Sequence, residues 1–274
     1  MIPELLDGTS ARILATILAG VLGLVIGSFL NVVIWRVPRG ESVVSPSSAC
    51  PRCGHTLSWW ENVPLISWVA LRARCRACRL PINLRYPLVE LATGVLFALV
   101  LWHFGVTFTA LAFAYLGAVA IALALIDLDV HRLPDSIVLP SYIVVPVLLG
   151  AQTLIDAHAG SSELWPLWRA LIGAASLFAF YFVAAIVYPG GMGLGDVKLA
   201  GLLGFALSWL GWGPLIIGAF SAFLLGGVFS GVLLLTGRAS RKSGIPFGPW
   251  MLAGAMVGVM WGRALWSSYL QIFT

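Results

Sequence analysis

"VTFTALAFAYLGAVAIALALI", residues 106–126, runs 21 residues without a charged side chain and then meets Asp127. About 20 apolar residues is the length that crosses a bilayer as a helix. Seven more such stretches are expected, at 12–35, 87–103, 137–155, 167–189, 197–211, 214–236 and 248–270. Only "HFG" parts the second from the third in chain order, and only "GWG" the sixth from the seventh. The sixth is short for a full crossing. The fold class expected is therefore an all-α polytopic membrane protein with about eight transmembrane helices.

Composition agrees. The chain of 274 residues is 60% hydrophobic and 10% charged, where a soluble domain is about a quarter charged. The first apolar stretch is preceded by Glu4 and Asp7 rather than by a basic start, and reads as a retained span, not a cleavable signal. Orientation follows from the sixteen Lys and Arg. With eight spans and the N-terminus outside, the inward segments 36–86, 127–136, 190–198 and 237–247 carry thirteen of them. The outward side keeps Arg12, Arg169 and Arg263, a positive-inside pattern. The net charge of +5 is then a topology signal beside spans and not a nucleic-acid surface. Trp35, Trp102, Trp165, Trp168, Trp209, Trp212, Trp250 and Trp266 fall near span ends, as an aromatic belt does.

Three parts are expected: a first span in 1–35, a cytoplasmic loop in 36–86, and a membrane core in 87–274. The loop holds all four cysteines and is too short for an ordinary apolar core. Gly23 and Gly27 form a GxxxG that admits a close neighbour helix. Pro140 and Pro146 should bend the fourth span. No internal repeat stands out.

Cys50, Cys53, Cys75 and Cys78 form two CxxC pairs with 21 residues between them. Two such knuckles face each other at tetrahedral zinc distance. The competing reading is a pair of disulfides, which needs an oxidising compartment. His55 is a spare ligand at most. A shell closed by four sulfurs leaves no open position, so the metal would be structural.

Most acids have plain readings. Asp135 follows Pro134 and reads as a helix N-cap. Glu90 falls one turn inside the second span, facing a polar cavity or an arginine of the loop. Asp127 and Asp196 differ: both sit at the inner end of an apolar run. Two carboxylates brought together, partly out of water, share a proton and titrate as a unit. One member can activate water while the other donates to a carbonyl oxygen. Asp129 is about 200° round a helix from Asp127 and cannot face the same site. The glycines of 190–195, Gly193 and Gly195 among them, would let a bound peptide's backbone approach and let the chain adopt unusual dihedrals before the helix. Lys198 should point elsewhere, toward lipid phosphate. The plain alternative for 191–198 is an interhelical turn with a capping aspartate. From another class, a proton-coupled membrane transporter with a zinc-stapled docking loop would also use intramembrane acids.

These motifs together resemble the type IV prepilin leader peptidases, bifunctional membrane aspartic peptidases. The resemblance rests on "GSFLNVVIWRVP" (27–38), "CPRCGH" (50–55), "CRAC" (75–78), "RYPLVEL" (85–91), "LIDLDVHRLPD" (125–135), "GMGLGDVKL" (191–199) and "IPFGP" (245–249). It implies catalytic Asp127 and Asp196 and zinc on Cys50, Cys53, Cys75 and Cys78; Gly193, Gly195, Lys198 and Glu90 are added from the residues themselves as candidates for supporting parts. It further implies removal of the basic leader of type IV pilus prepilins and type II secretion pseudopilins at the cytoplasmic face of the bacterial inner membrane. N-methylation with S-adenosylmethionine would follow. Relatives often carry a glycine shortly before the third cysteine, where this chain has Ala73 and Arg74.

Overall fold

The computed structural model describes residues 8–159, 164–187, 192–237 and 246–272. Glu4, Asp7, Glu163, Gly191 and the basic residues of 238–245 lie outside these. Each of the eight expected apolar segments is a helix: α1 (Thr9–Arg36), α3 (Arg85–Phe104), α4 (Phe108–Val130), α5 (Asp135–His158), α6 (Trp165–Val187), α7 (Leu194–Leu210), α8 (Trp212–Leu235) and α9 (Gly248–Leu270). A short helix α2 (Ile66–Ala70) and two 3-10 turns lie in the cysteine loop. Among the described residues there is no strand, only two isolated bridges.

Six of the eight long helices are long and apolar enough to cross a membrane by themselves. The other two are α7, with only 17 residues, and α9, whose glycines, tryptophans and Arg263 dilute its apolar content. The chain forms two compact units, Met1–Ala122 and Leu123–Thr274.

In the first unit, α1 and α3 touch backbone to backbone. A Cβ on Gly23 would stand 2.7 Å from Thr93 O, and one on Gly27 2.7 Å from Glu90 Cα, so the expected GxxxG contact is present. Arg12 stacks on Trp102 at one end of this pair, and Arg39 on Trp35 at the other. Glu90 lies buried on α3, and its Oε2 accepts the Leu65 N–H at 2.8 Å. It also accepts from Ser28. Its partners are thus the loop backbone and a hydroxyl of α1, where the sequence suggested an arginine or a polar cavity.

In the second unit α8 and α9 pack equally closely. A Cβ on Gly254 would meet Gly218 O and Ala222 N at 2.5 Å, and one on Gly262 would meet Pro214 Cα at 2.5 Å. Both prolines of α5 lie inside one continuous helix.

Thirteen of the seventeen residues of α7 are buried. At about 1.5 Å per residue it is about 25 Å long, short of a hydrocarbon core of about 30 Å. Its last four carbonyls have no partner within the helix itself. Each finds one nonetheless. Leu207 O accepts the Gly211 N–H at 3.1 Å. Arg169 of α6 gives Nε to Ser208 O at 2.5 Å and a terminal nitrogen to Trp209 O at 2.6 Å. Arg263 of α9 donates to Leu210 O at 2.8 Å. The cationic side chains also suit the negative end of the helix dipole. The sequence offered these arginines only as topology markers.

Arg169→Gln and Arg263→Gln should each lower thermal stability in detergent, by about 1.5–3 kcal/mol for a lost charge-assisted bond. Unchanged melting of both variants would show that the carbonyls do not depend on them.

Candidate active site

Asp127 stands three residues before the end of α4, and Asp196 in the first turn of α7. Asp127 is 5% exposed and Asp196 9%. Asp129 is exposed, as expected from its position on the opposite side of α4. Each buried carboxylate takes one glycine amide. Asp127 Oδ2 accepts the Gly248 N–H at 3.2 Å, and Asp196 Oδ2 accepts the Gly193 N–H at 3.2 Å. The two acids are close enough for their charges to interact. Leu133 links the two places, lying against Gly248, the partner of Asp127, and against Gly195, the neighbour of Asp196 in the chain.

Close packing sets this arrangement. A Cβ on Gly248 would lie 2.7 Å from Asp127 Oδ2 and 3.3 Å from Leu133 Cδ2. One on Gly195 would lie 3.0 Å from Leu133 Cβ. Leu133, in the loop after α4, thus touches both glycines that flank the acids. Gly193 itself has φ −79°, ordinary extended backbone, and Gly195 is helical. The expected unusual dihedrals are absent at these two positions, and Gly190 and Gly191 lie outside the described residues; a Cβ would be crowded at Gly195 but not at Gly193, where the nearest atom is 3.6 Å away.

Two sequence expectations change here. Asp135 is not an N-cap: Pro134 holds that place, and Asp135 opens the first turn of α5. Its carboxylate receives Lys198 Nζ at 2.8 Å on both oxygens. Lys198 consequently ties α7 to α5 rather than reaching for a lipid phosphate. Tyr142 adds a bond to the Lys198 carbonyl at 2.5 Å. His131 bends the chain with φ +53°, its N–H bonded to Asp127 O at 2.9 Å.

Tyr181 of α6 is 1% exposed and lies within electrostatic reach of Asp196. It stacks on Phe223 and tilts against Phe247, with centroids 5.7 and 6.1 Å away. Sequence reading gave no part to Tyr181, Leu133 or Gly248. "IPFGP" was the available signal for the last, though Ile245 falls outside the described residues.

The cysteines form a second cluster, within the first unit. All four sulfurs lie within 4.8 Å of one another. Cys50–Cys78 and Cys53–Cys75 are each 3.9 Å apart. A disulfide needs about 2.05 Å. Four thiolates about 2.3 Å from a tetrahedral ion stand about 3.8 Å from each other. The donor set fits a metal and not two disulfides.

The two knuckles repeat each other at an offset of 25 residues. Cys50 N–H bonds His55 O and Cys75 N–H bonds Leu80 O, both at 2.9 Å. Gly54 N–H bonds Cys50 O and Arg79 N–H bonds Cys75 O, again at 2.9 Å. Leu57 pairs with Ser48 as Ile82 pairs with Ala73. Amides of Arg52 and Cys53 face the Cys50 sulfur, and amides of Ala77 and Cys78 face that of Cys75. A short repeat is therefore present after all, hidden because only the cysteines are shared at sequence level. His55 is no ligand: Nε2 meets buried Glu61 Oε2 at 3.2 Å. The Ser58 N–H, helped by His55, holds the Glu61 carboxyl below its ordinary range.

Residues 21–104 match the bacterial peptidase A24 N-terminal domain, and residues 114–231 match the type IV leader peptidase family. The chain is 38% identical to a prepilin leader peptidase/N-methyltransferase of Stutzerimonas stutzeri, across 92% of each chain. It is 37% identical to one of Pseudomonas aeruginosa, across 97% of this chain and 98% of the relative. Identity to one of Myxococcus xanthus is 42%, across 81% of this chain and 64% of the relative.

The chain belongs to the type IV leader peptidase family.

No solved structure matches it. In this leader peptidase chain the first matched region holds all four cysteines, and the second holds both buried aspartates. Gly248, which gives its amide to Asp127, lies beyond both.

The knuckle repeat makes a stability test. Gly54 and Arg79 occupy equivalent left-handed positions, φ +71° and +60°. A side chain there costs about 1–2 kcal/mol. Arg79→Gly should thus hold its metal against a chelator at least as long as the parent chain, and Gly54→Ala should release it sooner. The reverse order would mean that backbone strain does not govern the knuckles.

Proposed function

We propose that the chain is a membrane aspartic endopeptidase that removes the leader of type IV prepilins and type II secretion pseudopilins. The carrying observation is the pair of buried carboxylates, delivered by two helices, each anchored on a glycine amide and within reach of the other's charge. Two like charges in a poorly solvated place favour one shared proton. The ionised member takes a proton from water as the water oxygen bonds to the scissile carbonyl carbon, and it later returns that proton to the leaving nitrogen. The protonated member donates to the scissile carbonyl oxygen. The resulting tetrahedral species collapses as the amide nitrogen takes a proton and leaves. Asp127 and Asp196 fill these two roles. Lys198 and Asp135 hold the start of α7 to α5, Gly193 anchors Asp196 with its amide, and Gly195 leaves room for Leu133.

Both acids stand near helix ends and not at mid-helix. That suits a peptide bond just outside the hydrocarbon and counts against proton transport, whose acids belong near the midplane. The thirteen-to-three charge bias supports a cytoplasmic placement of the cysteine loop and of the dyad, in the bacterial inner membrane.

Zinc is the ion that four thiolates suit best. Cys50, Cys53, Cys75 and Cys78 would hold it, and it would supply folding energy to the loop and no chemistry to the dyad. Glu90 would add to this by holding the loop backbone at Leu65. Methylation of the new N-terminus, with S-adenosylmethionine as donor, is the second activity, in line with the relatives' names. It needs a donor site apart from the dyad, whose carboxylates are committed to the amide and the water.

Asp127→Asn and Asp196→Asn, made separately, should each abolish prepilin cleavage in membranes at normal protein levels. Parent activity should fall at both low and high pH, since one proton on the pair is required. Retained cutting by either variant removes that residue from the mechanism. Gly248→Ala should cost up to about a hundredfold in turnover, the scale of a 1 Å displacement of a reacting group. Cys50→Ser should lower bound zinc and loop stability, with activity falling as a consequence; full zinc loading would count against the four-thiolate site.

A further inference from the structure

We propose that the cysteine module, residues 37–84, is a membrane-surface foot that binds anionic phospholipid headgroups. This goes beyond the peptidase reading and does not depend on the dyad.

The module's position follows from its ends. It leaves α1 and returns into α3, two candidate spans whose backbones touch. Both attachment points are therefore at one membrane surface, and the module cannot move far from it.

Its surface carries the chemistry of that boundary. Trp59 is 84% exposed, Ile66 69% and Val69 68%. Ile66 and Val69 are three residues apart on α2 and share one side of it. None is needed for the module's interior, which is built on the sulfurs and the His55–Glu61 pair. Arg72, Arg74, Arg76 and Arg79, which follow α2 in the chain, are exposed as well. Residues 37–84 hold six arginines against two glutamates. One of these, Glu61, is buried and occupied by His55. Even a four-thiolate zinc centre, formally minus two, leaves the module cationic.

The first unit has an Arg–Trp pair at each end of its two packed helices. Arg12 lies over Trp102 and Arg39 over Trp35, at 4.5 and 3.6 Å, at opposite ends of the α1–α3 pair. A third pair of the same kind, Arg76 over Trp60 at 5.0 Å, lies inside the module. An indole at headgroup level with a guanidinium on its face suits the interface, where the ring is half-immersed and the cation meets phosphate. Apolar side chains among arginines are what a surface-bound segment presents to anionic lipid. A second copy of so cationic a module would be repelled, and so would a basic peptide.

The test uses the full chain in nanodiscs of phosphatidylcholine alone or mixed with phosphatidylglycerol, followed by hydrogen–deuterium exchange and zinc content. Amides of 59–79 should exchange several-fold more slowly in the anionic discs, and raising salt should reverse this. Arg72→Gln with Arg76→Gln should abolish the difference with zinc content unchanged. If that variant loses zinc, the salt titration of the parent chain decides alone. Equal exchange in both lipids would overturn the proposal. So would protection that persists in detergent, or that appears only with two copies per disc, since protein and not lipid would then be the cover.

Discussion

Inside a membrane every backbone polar group needs a partner from the protein, and the 17-residue helix α7 is where this demand is hardest to meet. It is the most enclosed helix of its unit and too short to reach both surfaces. Its far end is answered by two arginines from α6 and α9, which together with Gly211 leave no terminal carbonyl without a donor. Its near end is answered by Gly193, Asp196, and the Lys198–Asp135 tie to α5. A helix fixed at both ends can hold a carboxylate beside another one. Asp196 stays close to Asp127 because α7 has little freedom to slide, and like charges alone would separate them.

The two units solve the same problem of order in different ways. The first unites a helical pair with a loop that lacks an apolar core, and uses four sulfurs and one buried glutamate, Glu90, to organise it. The second uses closeness: glycines let α8 and α9 meet along their backbones, and Leu133 fits against the two glycines that border the acids. Chemistry is concentrated where polar side chains are few and each has a defined partner.

The spans were readable in the sequence because hydrophobicity is a local property, and so was the separation of Asp127 from Asp129, which needs only the turn of a helix. The cysteine cluster was readable from spacing. What escaped depends on partners far away in the chain. Arg169 and Arg263 looked like orientation markers because nothing local links them to the carbonyls of 208–210. Asp135 looked like a cap because its lysine is 63 residues away. Gly248 is bonded to a carboxylate 121 residues earlier, and the "IPFGP" around it marks the position without naming that partner. The knuckle repeat was hidden because it lives in backbone hydrogen bonds, with glycine in one half and arginine in the other.

The glycine contacts of α8 and α9 carry an evolutionary consequence. Where two backbones touch, even a methyl group has no place, yet nothing reactive is present to draw attention. Gly218, Gly254, Gly258 and Gly262 should therefore vary as little among descendants of this chain as its acids do. A ranking of positions by constancy alone would mistake a seam for a reaction centre.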